Sequence, residues 1–483
     1  MKYYIKTFGC QMNHSDSERI AAVLEKNNFR PASDINAADL VVFNTCGVRQ
    51  MAEDRVYGQI YNLKRKTQNE KRKIIVTGCL ANRKDVQRRL KDKVDLFCEI
   101  KEFPKKIRKL IEFSPFVKGG FKGDFYKNSE DKNPSLTLPF AKGENSHDYL
   151  NLIPKYTNTF SAYVPIMTGC DNFCAYCVVP YARGRETSRP AEEIIKEANN
   201  LAKKGFKHII LLGQNVNSYK SPSPLQGEGA RRADEGKTIN FSALLQKINS
   251  IPGHFWISFV SNHPKDVTDE MIETVTKCKK VCESFHLPIQ AGNDEIIKRM
   301  NRKYTAKRYL SIVKKIKAAY KKYKPGVPYA ITSDIIVGFP GESKKQFLDS
   351  AKIMEKVKFD MVYFGQFSPR PGTAAWQMKD NISKAEKVRR EKYLNEILKK
   401  TSYKNNKKYV GKILEVLVEK LKVEPSNLKG STLKNIIYFG KTRTMKNVKF
   451  LSDRNNLVGK FVKVNIIKAN VWNLEARLDS RKR

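Results

Sequence analysis

The sequence predicts an α/β protein with a parallel-sheet domain at its N-terminus, a partial or full TIM-like barrel in its middle and a small all-β barrel at its C-terminus. Three observations lead to this prediction. The chain has 483 residues, which is too long for one ordinary hydrophobic core. Strand and helix patterns alternate in two separate stretches, as they do in proteins with parallel sheets. Short β patterns separated by turns then occupy residues 411–478.

The N-terminal domain is predicted over residues 1–115. One of its helices is predicted over Ser15–Asn27, with Ser15 as N-cap and Glu18 three residues later. Helical patterns alternate with four strand patterns, which are Tyr3–Phe8, Leu40–Phe43, Ile74–Thr77 and Val94–Phe97. This alternation indicates a small parallel sheet. The polar residues 116–158 that follow are interpreted as a linker.

The central barrel is predicted over residues 159–380. Helical patterns such as Ala191–Lys204 and Ala306–Lys322 separate six strand patterns, which are Ala162–Met167, His208–Leu212, Trp256–Val260, Ser284–Leu287, Ile331–Val337 and Met361–Phe367. Six consecutive βα units favour an open or partial barrel whose functional residues lie at the carboxyl ends of the strands. The Pro-, Gly-, Ser- and Arg-rich segment Lys220–Lys237 interrupts the pattern and is interpreted as a solvated surface insertion.

The C-terminal domain is predicted over residues 406–480, after a connecting helix within residues 381–405. The helical pattern itself runs from about Lys384 to Lys400. Four short β patterns follow it, which are Ile413–Glu419, Asn435–Phe439, Val448–Leu451 and Lys460–Val471. Their spacing and the turns between them indicate a small all-β barrel.

The charge of the chain points to a polyanionic partner. Lys and Arg number 92 against 49 Asp and Glu, which gives a formal net charge of +43. Nucleic acid is the first candidate for such a partner. A general abundance of Lys explains the same excess equally well, so charge alone does not decide. The N-terminus has no apolar signal core, and no apolar run is long enough to span a bilayer, so we expect a cytoplasmic protein without a membrane partner.

Three of the nine cysteines form a C-x3-C-x2-C motif directly after the first barrel strand: Cys170, Cys174 and Cys177, called here the loop cysteines. In a reducing compartment, clustered cysteines indicate metal or catalytic ligands before disulfides. Three adjacent thiolates can bind a four-iron cluster and leave its fourth iron open. An open iron lets the amino and carboxylate groups of S-adenosylmethionine (SAM) bind the metal. A zinc knuckle that lacks its fourth ligand is the alternative interpretation.

Three other cysteines each end a predicted strand and have a glycine beside them: Cys10, Cys46 and Cys79, called here the strand-end cysteines. Consecutive strand ends of a parallel sheet lie on one edge, where ligands bind. Convergence of these thiols would fit a second three-ligand cluster, with one iron free for an exogenous sulfur. Ordinary buried cysteines are the alternative. The remaining cysteines lack such a context and are not expected to be ligands: Cys98, Cys278 and Cys282.

With these motifs established, the chain resembles the radical-SAM methylthiotransferases over nearly its whole length, and most of all their MiaB-type branch. The segments that match are Phe8–Asn13, Asn44–Arg49, Cys170–Pro190, Leu211–Tyr219, His286–Gly292 and Asp334–Glu342. The resemblance implies a methylthiotransferase domain, a radical-SAM barrel and a TRAM barrel that binds RNA. It also implies two [4Fe–4S] clusters, one on each set of cysteines, and two uses of SAM, as methyl donor and as source of a 5′-deoxyadenosyl radical.

The activity that the resemblance implies is transfer of a methylthio group to carbon 2 of N(6)-isopentenyl-adenosine beside the tRNA anticodon. The C–H bond at carbon 2 is unactivated and no side-chain base removes its proton at a useful rate, so a cofactor-derived radical is required. The implied partners are the anticodon stem-loop of tRNA and an electron donor such as flavodoxin or ferredoxin. We expect the protein to be a monomer.

Contacts to SAM are predicted at the carboxyl ends of the barrel strands, by similarity to the superfamily. The second strand is followed by three of them, and later strands end at the other three: Gly213, Gln214, Asn215, Ser261, Gln290 and Asp334. For each residue, a role in a turn or a helix cap is the alternative.

Contacts to RNA phosphates are predicted at two places. A short basic run follows the loop cysteines, and its members are Arg183, Arg185 and Arg189. In the terminal barrel, Lys441 and Arg443 form an aromatic and basic patch with Tyr438 and Phe439, a composition typical of surfaces that stack bases. Solvated arginines and aromatic residues that fill the barrel are the alternatives.

Two further hypotheses stay open at this point. Within the same family, the substrate could be threonylcarbamoyl-adenosine in tRNA or a ribosomal protein. A protein of a different class, a non-catalytic iron–sulfur protein that binds RNA or transfers electrons, would share the cysteines but would not cleave SAM.

Overall fold

The computed structural model describes residues 1–47, 50–66, 72–112, 148–222, 238–423 and 436–479. They divide into two units, Met1–Thr157 and Asn158–Arg483. Most of the predicted linker 116–158 and of the predicted insertion Lys220–Lys237 lies outside the described residues, as do residues 48 and 49 of the second matching segment. Within the ranges that the structure describes, no helix has the length and apolarity needed to cross a membrane.

The first unit contains a five-stranded parallel sheet with the order β2-β1-β3-β4-β5. Its elements are β1 (Lys2–Thr7), α1 (Gln11–Lys26), β2 (Arg30–Pro31), β3 (Leu40–Thr45), α2 (Gln50–Lys66), β4 (Lys73–Gly78), α3 (Lys84–Leu90), β5 (Leu96–Phe97) and α4 (Phe103–Glu112). Strand β3 is buried on both faces: Val41 and Phe43 belong to one hydrophobic cluster, and Leu40 and Val42 to another. Such double burial is typical of a parallel sheet between two helix layers.

Helix α1 begins earlier than the sequence predicts. It starts at Gln11 with Cys10 as N-cap, so Ser15 lies inside the helix and the predicted N-cap is wrong. The Ser15 hydroxyl instead accepts a hydrogen bond of 2.7 Å from the Arg19 guanidinium. Gly9 has a φ of +123° and turns the chain directly from β1 into α1. The first helical turn was missed because its polar residues, Asn13 among them, are buried and give no apolar period.

The second unit begins with the parallel strands of the partial barrel. Its elements are β6 (Ser161–Pro165), β7 (Met167–Thr168), α5 (Val179–Arg183), β8 (Thr187–Ser188), α6 (Ala191–Lys203), β9 (His208–Leu212), α7 (Phe241–Asn249), β10 (Trp256–Phe259), α8 (Asp269–Lys277), β11 (Ser284–His286), α9 (Asp294–Arg299), α10 (Ala306–Tyr323), β12 (Ala330–Val337), α11 (Lys344–Val357) and β13 (Met361–Gln366). Six strands form two parallel sheets, β10-β9-β6 and β11-β12-β13. A parallel bridge between Ile257 and Val281 connects β10 to the segment that precedes β11.

The C-terminal part of the second unit is a closed barrel that follows a long helix. Helix α12 (Lys384–Lys407) is longer than predicted, and the barrel has the strand order β14-β15-β16-β18-β17. The strands are β14 (Ile413–Val423), β15 (Ile436–Thr442), β16 (Asn447–Ser452), β17 (Phe461–Ala469) and β18 (Asn473–Leu478). Four of these five are predicted from the sequence and β18 is missed, although Leu474, Ala476 and Leu478 alternate there with polar residues. The predicted fold class is confirmed.

A buried carboxylate joins the terminal barrel to the parallel barrel within the second unit. Glu283 accepts hydrogen bonds of 2.8 and 2.9 Å from the Arg443 guanidinium, and Lys324 Nζ lies 2.6 Å from it. The Glu283 side chain is only 4% exposed. Trp256 packs beside this group, with its ring centroid 4.8 Å from that of Phe461. The contact therefore combines apolar burial with a charge network.

We expect Glu283→Gln to lower the free energy of unfolding of this unit by about 3 kcal/mol, because two largely buried cations lose their carboxylate. Burial alone raises the pKa of Glu283, but Arg443 and Lys324 favour its charged form and lower the pKa overall. The stabilisation is therefore complete above the pKa of an unfolded glutamate, about 4.3, and is lost as pH falls through the lower folded-state pKa. Denaturant titrations at neutral and acid pH measure this difference.

Glu273→Gln is the matched control for this experiment. Glu273 forms a 2.7 Å ion pair with Lys277 in which both side chains are about half exposed. It also accepts a hydrogen bond from Tyr323, which a glutamine oxygen can accept as well, so we expect no measurable change in stability. An effect of Glu283→Gln as small as that of the control would contradict the role assigned to Glu283. A difference in the free energy of unfolding between Glu283→Gln and the unsubstituted chain that persists in strong acid would also contradict this role.

Candidate active site

The strand-end cysteines follow three adjacent strands of the first unit. Cys10 follows β1, Cys46 follows β3 and Cys79 follows β4, and the strand order places β3 between the other two. The three strands are parallel, so their carboxyl ends share one edge of the sheet. Cys46 and Cys79 are buried, whereas Cys10 is exposed. The structure therefore places these three cysteines on one edge of the sheet, as the sequence predicts.

Two glycines allow this edge to be as close-packed as it is. A Cβ on Gly9 would lie 2.5 Å from the Cβ of Cys46 and 3.2 Å from its Sγ. A Cβ on Gly78 would lie 2.4 Å from the carbonyl oxygen of Thr45. Both glycines have positive φ, at +123° and +83°. Side chains at either position would separate the strand ends that the cysteines follow.

Two buried asparagines connect the strand ends and were missed by the sequence analysis. The Asn13 amide donates hydrogen bonds of 2.9 Å to Asn44 Oδ1 and to the Thr45 carbonyl, and Asn44 donates 2.8 Å to the Asn13 carbonyl. The Cys10 thiol donates to Asn13 Oδ1 at 3.1 Å. Both asparagines lie inside the matching segments, so an asparagine close in sequence to Cys10 and to Cys46 was the available signal. They hold the start of α1 against the end of β3.

The loop cysteines lie in a segment that leaves and returns to the barrel through the short antiparallel pair β7 and β8. Gly169 precedes Cys170 with a φ of +74°, and a Cβ there would lie 2.0 Å from the carbonyl oxygen of Arg185. The Asn172 amide donates to Cys170 Sγ at 3.4 Å. Cys177 N–H donates to the Cys174 carbonyl at 2.9 Å, which closes a tight turn between these two cysteines.

The rest of the barrel fixes the same segment from outside. Ala175 N–H donates to the Met300 carbonyl at 2.9 Å, and the Asn301 amide donates to the Phe173 carbonyl at 2.9 Å. Phe173 itself has a φ of +45°, a left-handed conformation that costs energy in a residue other than glycine. The segment is thus held in one conformation that presents three thiols within eight residues.

Burial affects the thiols of this segment. It raises the pKa of Cys177 to about 12, with a further increase from the neighbouring Cys174, and it also raises the pKa of Cys170. Thiolates are the metal ligands, so binding of iron here has to displace protons. Among the described residues, no three His, Cys, Asp or Glu side chains form a site for a single metal ion. A four-iron cluster takes one thiolate per iron, so its ligands do not converge on one point.

Five of the six residues predicted to contact SAM follow strands of the barrel. Asp334 lies in the middle of β12, which continues to Val337, so its predicted place at a strand end is wrong. Gly213 follows β9, and its Cα faces Met167, whose Cγ would lie 2.6 Å from an added Cβ. Asn215 is buried and donates 2.8 Å to Asp266. Val216 N–H donates to the Ser261 carbonyl at 3.1 Å, which joins the ends of β9 and β10.

Two more of the predicted SAM contacts, Gln290 and Asp334, lie beside each other at the later strands. Gln290 N–H donates to the Asp334 carbonyl at 2.9 Å, and Ile336 N–H donates back to the Gln290 carbonyl. The Asp334 carboxylate lies 3.4 Å from His286 Nε2. Gln290, like Ser261, has a positive φ, at +68° and +69° respectively. Left-handed backbone at non-glycine residues is concentrated at functional sites.

Four buried polar atoms at the ends of β9 and β10 have no hydrogen-bond partner within the part of the chain that the structure describes: Gln214 Oε1, Asn215 Oδ1, Asn262 Oδ1 and His263 Nε2. Burial lowers the pKa of His263 to about 2, with further lowering by Arg302 and Lys265, so its ring is neutral. Buried polar groups without partners are costly. Their concentration at the ends of two adjacent strands fits a bound ligand that carries several polar groups, such as SAM.

The arginines predicted to contact RNA next to the loop cysteines have different surroundings. Arg185 is exposed and forms a 3.0 Å ion pair with Asp171. Arg183 ends α5 and is partly buried. Arg189 is 3% exposed, and its guanidinium donates to Glu197 at 2.7 Å and to the Pro165 carbonyl at 2.9 Å. The structure gives Arg189 an internal role in place of the predicted phosphate contact, because its guanidinium is buried against α6 and the end of β6.

In the terminal barrel, successive side chains of β15 point to opposite faces of the strand, so the residues of the predicted patch do not share one surface. Tyr438 is buried inside the barrel, and Arg443 is engaged by Glu283, so neither lies on the predicted RNA surface. Phe439 and Lys441 are partly exposed, and Lys420 Nζ lies 5.4 Å from the Phe439 ring centroid. Lys441 Nζ donates to Asn447 at 2.5 Å. Lys420 was missed by the sequence analysis, since only the strand register of β14 places it beside Phe439.

Three protein families match parts of the chain. Residues 2–99 match the uncharacterized protein family UPF0004, residues 164–354 match the Radical SAM superfamily, and residues 407–478 match the TRAM domain. These three matches correspond to the parallel sheet of the first unit, the parallel barrel and the closed terminal barrel.

Several curated relatives are similar over nearly the whole chain. The chain is 38% identical to the tRNA-2-methylthio-N(6)-dimethylallyladenosine synthase of Thermoanaerobacter pseudethanolicus, over 99% of this chain and 92% of that protein. It is also 38% identical to the synthase of that name from Clostridium botulinum, over 98% and 96%. A solved structure, the radical S-adenosylmethionine methyltransferase TsrM from Kitasatospora setae, has a TM-score of 0.48 and 11% identity over 89% of this chain and 79% of that chain. At that TM-score the likeness is too loose to assign function.

We expect Gly169→Ala to prevent binding of iron by the loop cysteines, because the added Cβ overlaps the Arg185 carbonyl oxygen. Iron content after anaerobic reconstitution should fall by about four per chain. Gly205→Ala is the control, since Gly205 also has a positive φ, +82°, but has no atom within 4 Å of an added Cβ. Equal iron content in Gly169→Ala and the control would contradict this account of the loop.

Proposed function

The chain belongs to the tRNA-2-methylthio-N(6)-dimethylallyladenosine synthase family of radical-SAM enzymes, and on that premise we propose that it transfers a methylthio group to carbon 2 of N(6)-dimethylallyl-adenosine in tRNA. The observation that supports this most is the presence of two separate sets of three cysteines. The loop cysteines lie in the match to the Radical SAM superfamily, and the strand-end cysteines lie on one sheet edge of the first unit. A reaction that both breaks a C–H bond and inserts sulfur needs both kinds of site.

The loop cysteines are proposed to hold a [4Fe–4S] cluster next to SAM. When bound, this pair supplies the one-electron chemistry that breaks the unactivated C–H bond at carbon 2. The chain itself supplies the ligands and their orientation. Asn172 donates a hydrogen bond to Cys170 Sγ, and the positive φ of Gly169 lets the loop close against Arg185.

Six residues of the barrel are proposed to bind SAM: Gly213, Gln214, Asn215, Ser261, Gln290 and Asp334. Gln214 Oε1 and Asn215 Oδ1 are buried acceptors without a partner among the described residues, and an ammonium group would satisfy them. Because Gly213 has no side chain, the Met167 side chain can pack closely against the end of β9. Asp334 is held by His286 and can accept from hydroxyl groups.

The strand-end cysteines are proposed to hold a second [4Fe–4S] cluster, which binds the sulfur to be transferred. Cys10 is the N-cap of the 16-residue helix α1, and the positive end of the helix dipole stabilises a thiolate at that position. Asn13 and Asn44 fix this helix end against β3 through three buried hydrogen bonds. Cys10 is exposed, which gives an incoming sulfur compound access to this edge.

The terminal barrel is proposed to bind the tRNA substrate through its outer face. Phe439, Lys441 and Lys420 offer an aromatic ring and two cations on neighbouring strands, a composition suited to phosphates and exposed bases. Arg183 and Arg185 are proposed to contact phosphates near the target nucleotide. A flavodoxin or ferredoxin is proposed as electron donor, and the protein is proposed to act in the cytoplasm as a monomer.

We expect the two sets of cysteines to separate SAM cleavage from sulfur insertion. Replacing the three strand-end cysteines by Ala should leave formation of 5′-deoxyadenosine intact and stop formation of the methylthio nucleoside. Replacing the three loop cysteines should stop both. The readouts are 5′-deoxyadenosine from reduced protein with SAM, and mass spectrometry of tRNA nucleosides from a deletion strain that expresses each variant.

Other results would overturn the proposal in different ways. Loss of SAM cleavage in the strand-end variant would contradict the division of labour between the cysteines. Absence of 5′-deoxyadenosine from the unsubstituted, reconstituted protein would favour a non-catalytic iron–sulfur protein. Methylthiolation of threonylcarbamoyl-adenosine or of a ribosomal protein in place of dimethylallyl-adenosine would identify a different substrate within the family.

We expect Lys441→Ala to weaken tRNA binding and to reduce its salt dependence. Loss of one phosphate contact should make the slope of log K against log salt concentration less steep by about one. Lys352→Ala serves as control, because Lys352 is an exposed lysine on α11 that pairs with Asp349. Binding titrations over a range of salt concentrations measure the slope, and an unchanged slope in Lys441→Ala would remove this residue from the RNA surface.

A further inference from the structure

Arg302 lies in the turn between α9 and α10 and points into the barrel towards the loop cysteines. The residue is 7% exposed. Its guanidinium donates to Tyr304 Oη at 2.7 Å, to Tyr176 Oη at 3.0 Å and to the Pro288 carbonyl at 3.3 Å. The fourth contact is to Cys174 Sγ, at 3.6 Å from Nη1. Because sulfur is a larger acceptor atom than oxygen, a separation of 3.6 Å between Nη1 and Sγ is a hydrogen bond.

The partners of Arg302 differ from those of two other buried arginines of the second unit, Arg390 and Arg189. Arg390 lies 2.8 Å from Glu342, and Arg189 lies 2.7 Å from Glu197. Arg302 forms no ion pair with a carboxylate in the part of the chain that the structure describes; its acceptors are two phenols, a carbonyl and a thiol. A buried charge without a counter-charge is costly. The acceptor here that can take a negative charge at modest cost is Cys174, once it is a metal-bound thiolate.

We propose that Arg302 is a positioning residue for the cluster bound by the loop cysteines: it donates an N–H to the Cys174 thiolate and places its positive charge where it favours the reduced cluster. This inference rests on the proposed function. The same guanidinium also fixes Tyr176, the aromatic residue between the second and third ligands, through the 3.0 Å hydrogen bond.

The physical basis is the change of charge on reduction. One electron passes from a low-potential donor of the flavin or iron–sulfur class to the cluster; no bond is broken and no proton is transferred. The electron adds negative charge to a group already bound by three thiolates. A fixed cation close by, in an interior of low dielectric constant, stabilises the reduced state more than the oxidised one. Hydrogen bonds to the sulfurs act in the same direction and are known determinants of cluster potential.

The test is a redox titration of the full-length chain in which only one cluster contributes. The background carries Cys10→Ala, Cys46→Ala and Cys79→Ala, and electron paramagnetic resonance follows the reduced cluster in mediator solutions poised with dithionite. We expect Arg302→Gln to lower the equilibrium constant for one-electron reduction about tenfold, which corresponds to about 59 mV. Arg302→Lys keeps the charge but has fewer hydrogen-bond donors. The reduction potential of the cluster in this variant should therefore lie between that of the background and that of Arg302→Gln.

Arg299→Gln is the matched control, because Arg299 is the last residue of α9, just before the same turn, but is exposed and donates to the Pro340 carbonyl. Solvent screens its charge, so the potential should not change. A potential in Arg302→Gln equal to that of the background, or an equal decrease in the control, would overturn the inference. If Arg302→Gln does not retain iron, Arg302→Lys decides: a lowered potential supports the inference, and an unchanged one overturns it.

Failure of this inference and failure of the proposed function give different results. An unsubstituted chain that binds no cluster, or does not cleave SAM, removes the proposed function before the potential is measured. An unsubstituted chain that cleaves SAM, together with an Arg302→Gln variant of unchanged potential, leaves the proposed function intact and removes only the role of Arg302.

Discussion

Parallel strands place their carboxyl ends on one edge of a sheet, and both cysteine sites depend on this constraint. In the first unit it brings Cys10, Cys46 and Cys79 to one edge, although long helices separate them in the sequence. In the second unit the loop cysteines follow β6 and β7, and Gln214 follows β9, which is the parallel neighbour of β6. The topology thus brings the strand ends close together. Glycines with positive φ and hydrogen bonds from buried asparagine amides then allow the strand ends to pack closely.

Much of this arrangement could be predicted because its signals are local. The six barrel strands and the spacing of the loop cysteines are visible in short stretches of sequence, and the strand-end position of Cys46 follows from the apolar run before it. Contacts between distant elements could not be predicted. Asn13 with Asn44 and Arg302 with Cys174 are each joined by the fold alone. Helix α1 was placed too late for the same reason, since its first turn buries polar residues against a strand end.

The sign of a residue's charge did not reveal where its side chain points. Arg189 and Arg443 belong to basic runs that resemble a phosphate-binding surface, yet both donate to carboxylates inside the second unit. Lys420 and Phe439, which do lie together on the outer face of the terminal barrel, come from different strands. A basic composition therefore predicts the kind of partner, and strand register decides which residues can reach it. Buried groups without partners, such as Gln214 Oε1, instead indicate the positions where a ligand completes the structure.

Two metal centres, each bound by three thiolates, are the central claim of this account, and the stoichiometry of the centres tests it most directly. The measurement is iron and acid-labile sulfide per chain in protein purified without oxygen, with zinc determined on the same sample. Two four-iron clusters require about eight irons and about eight sulfides per chain. About four of each, or zinc in place of iron, would contradict the claim.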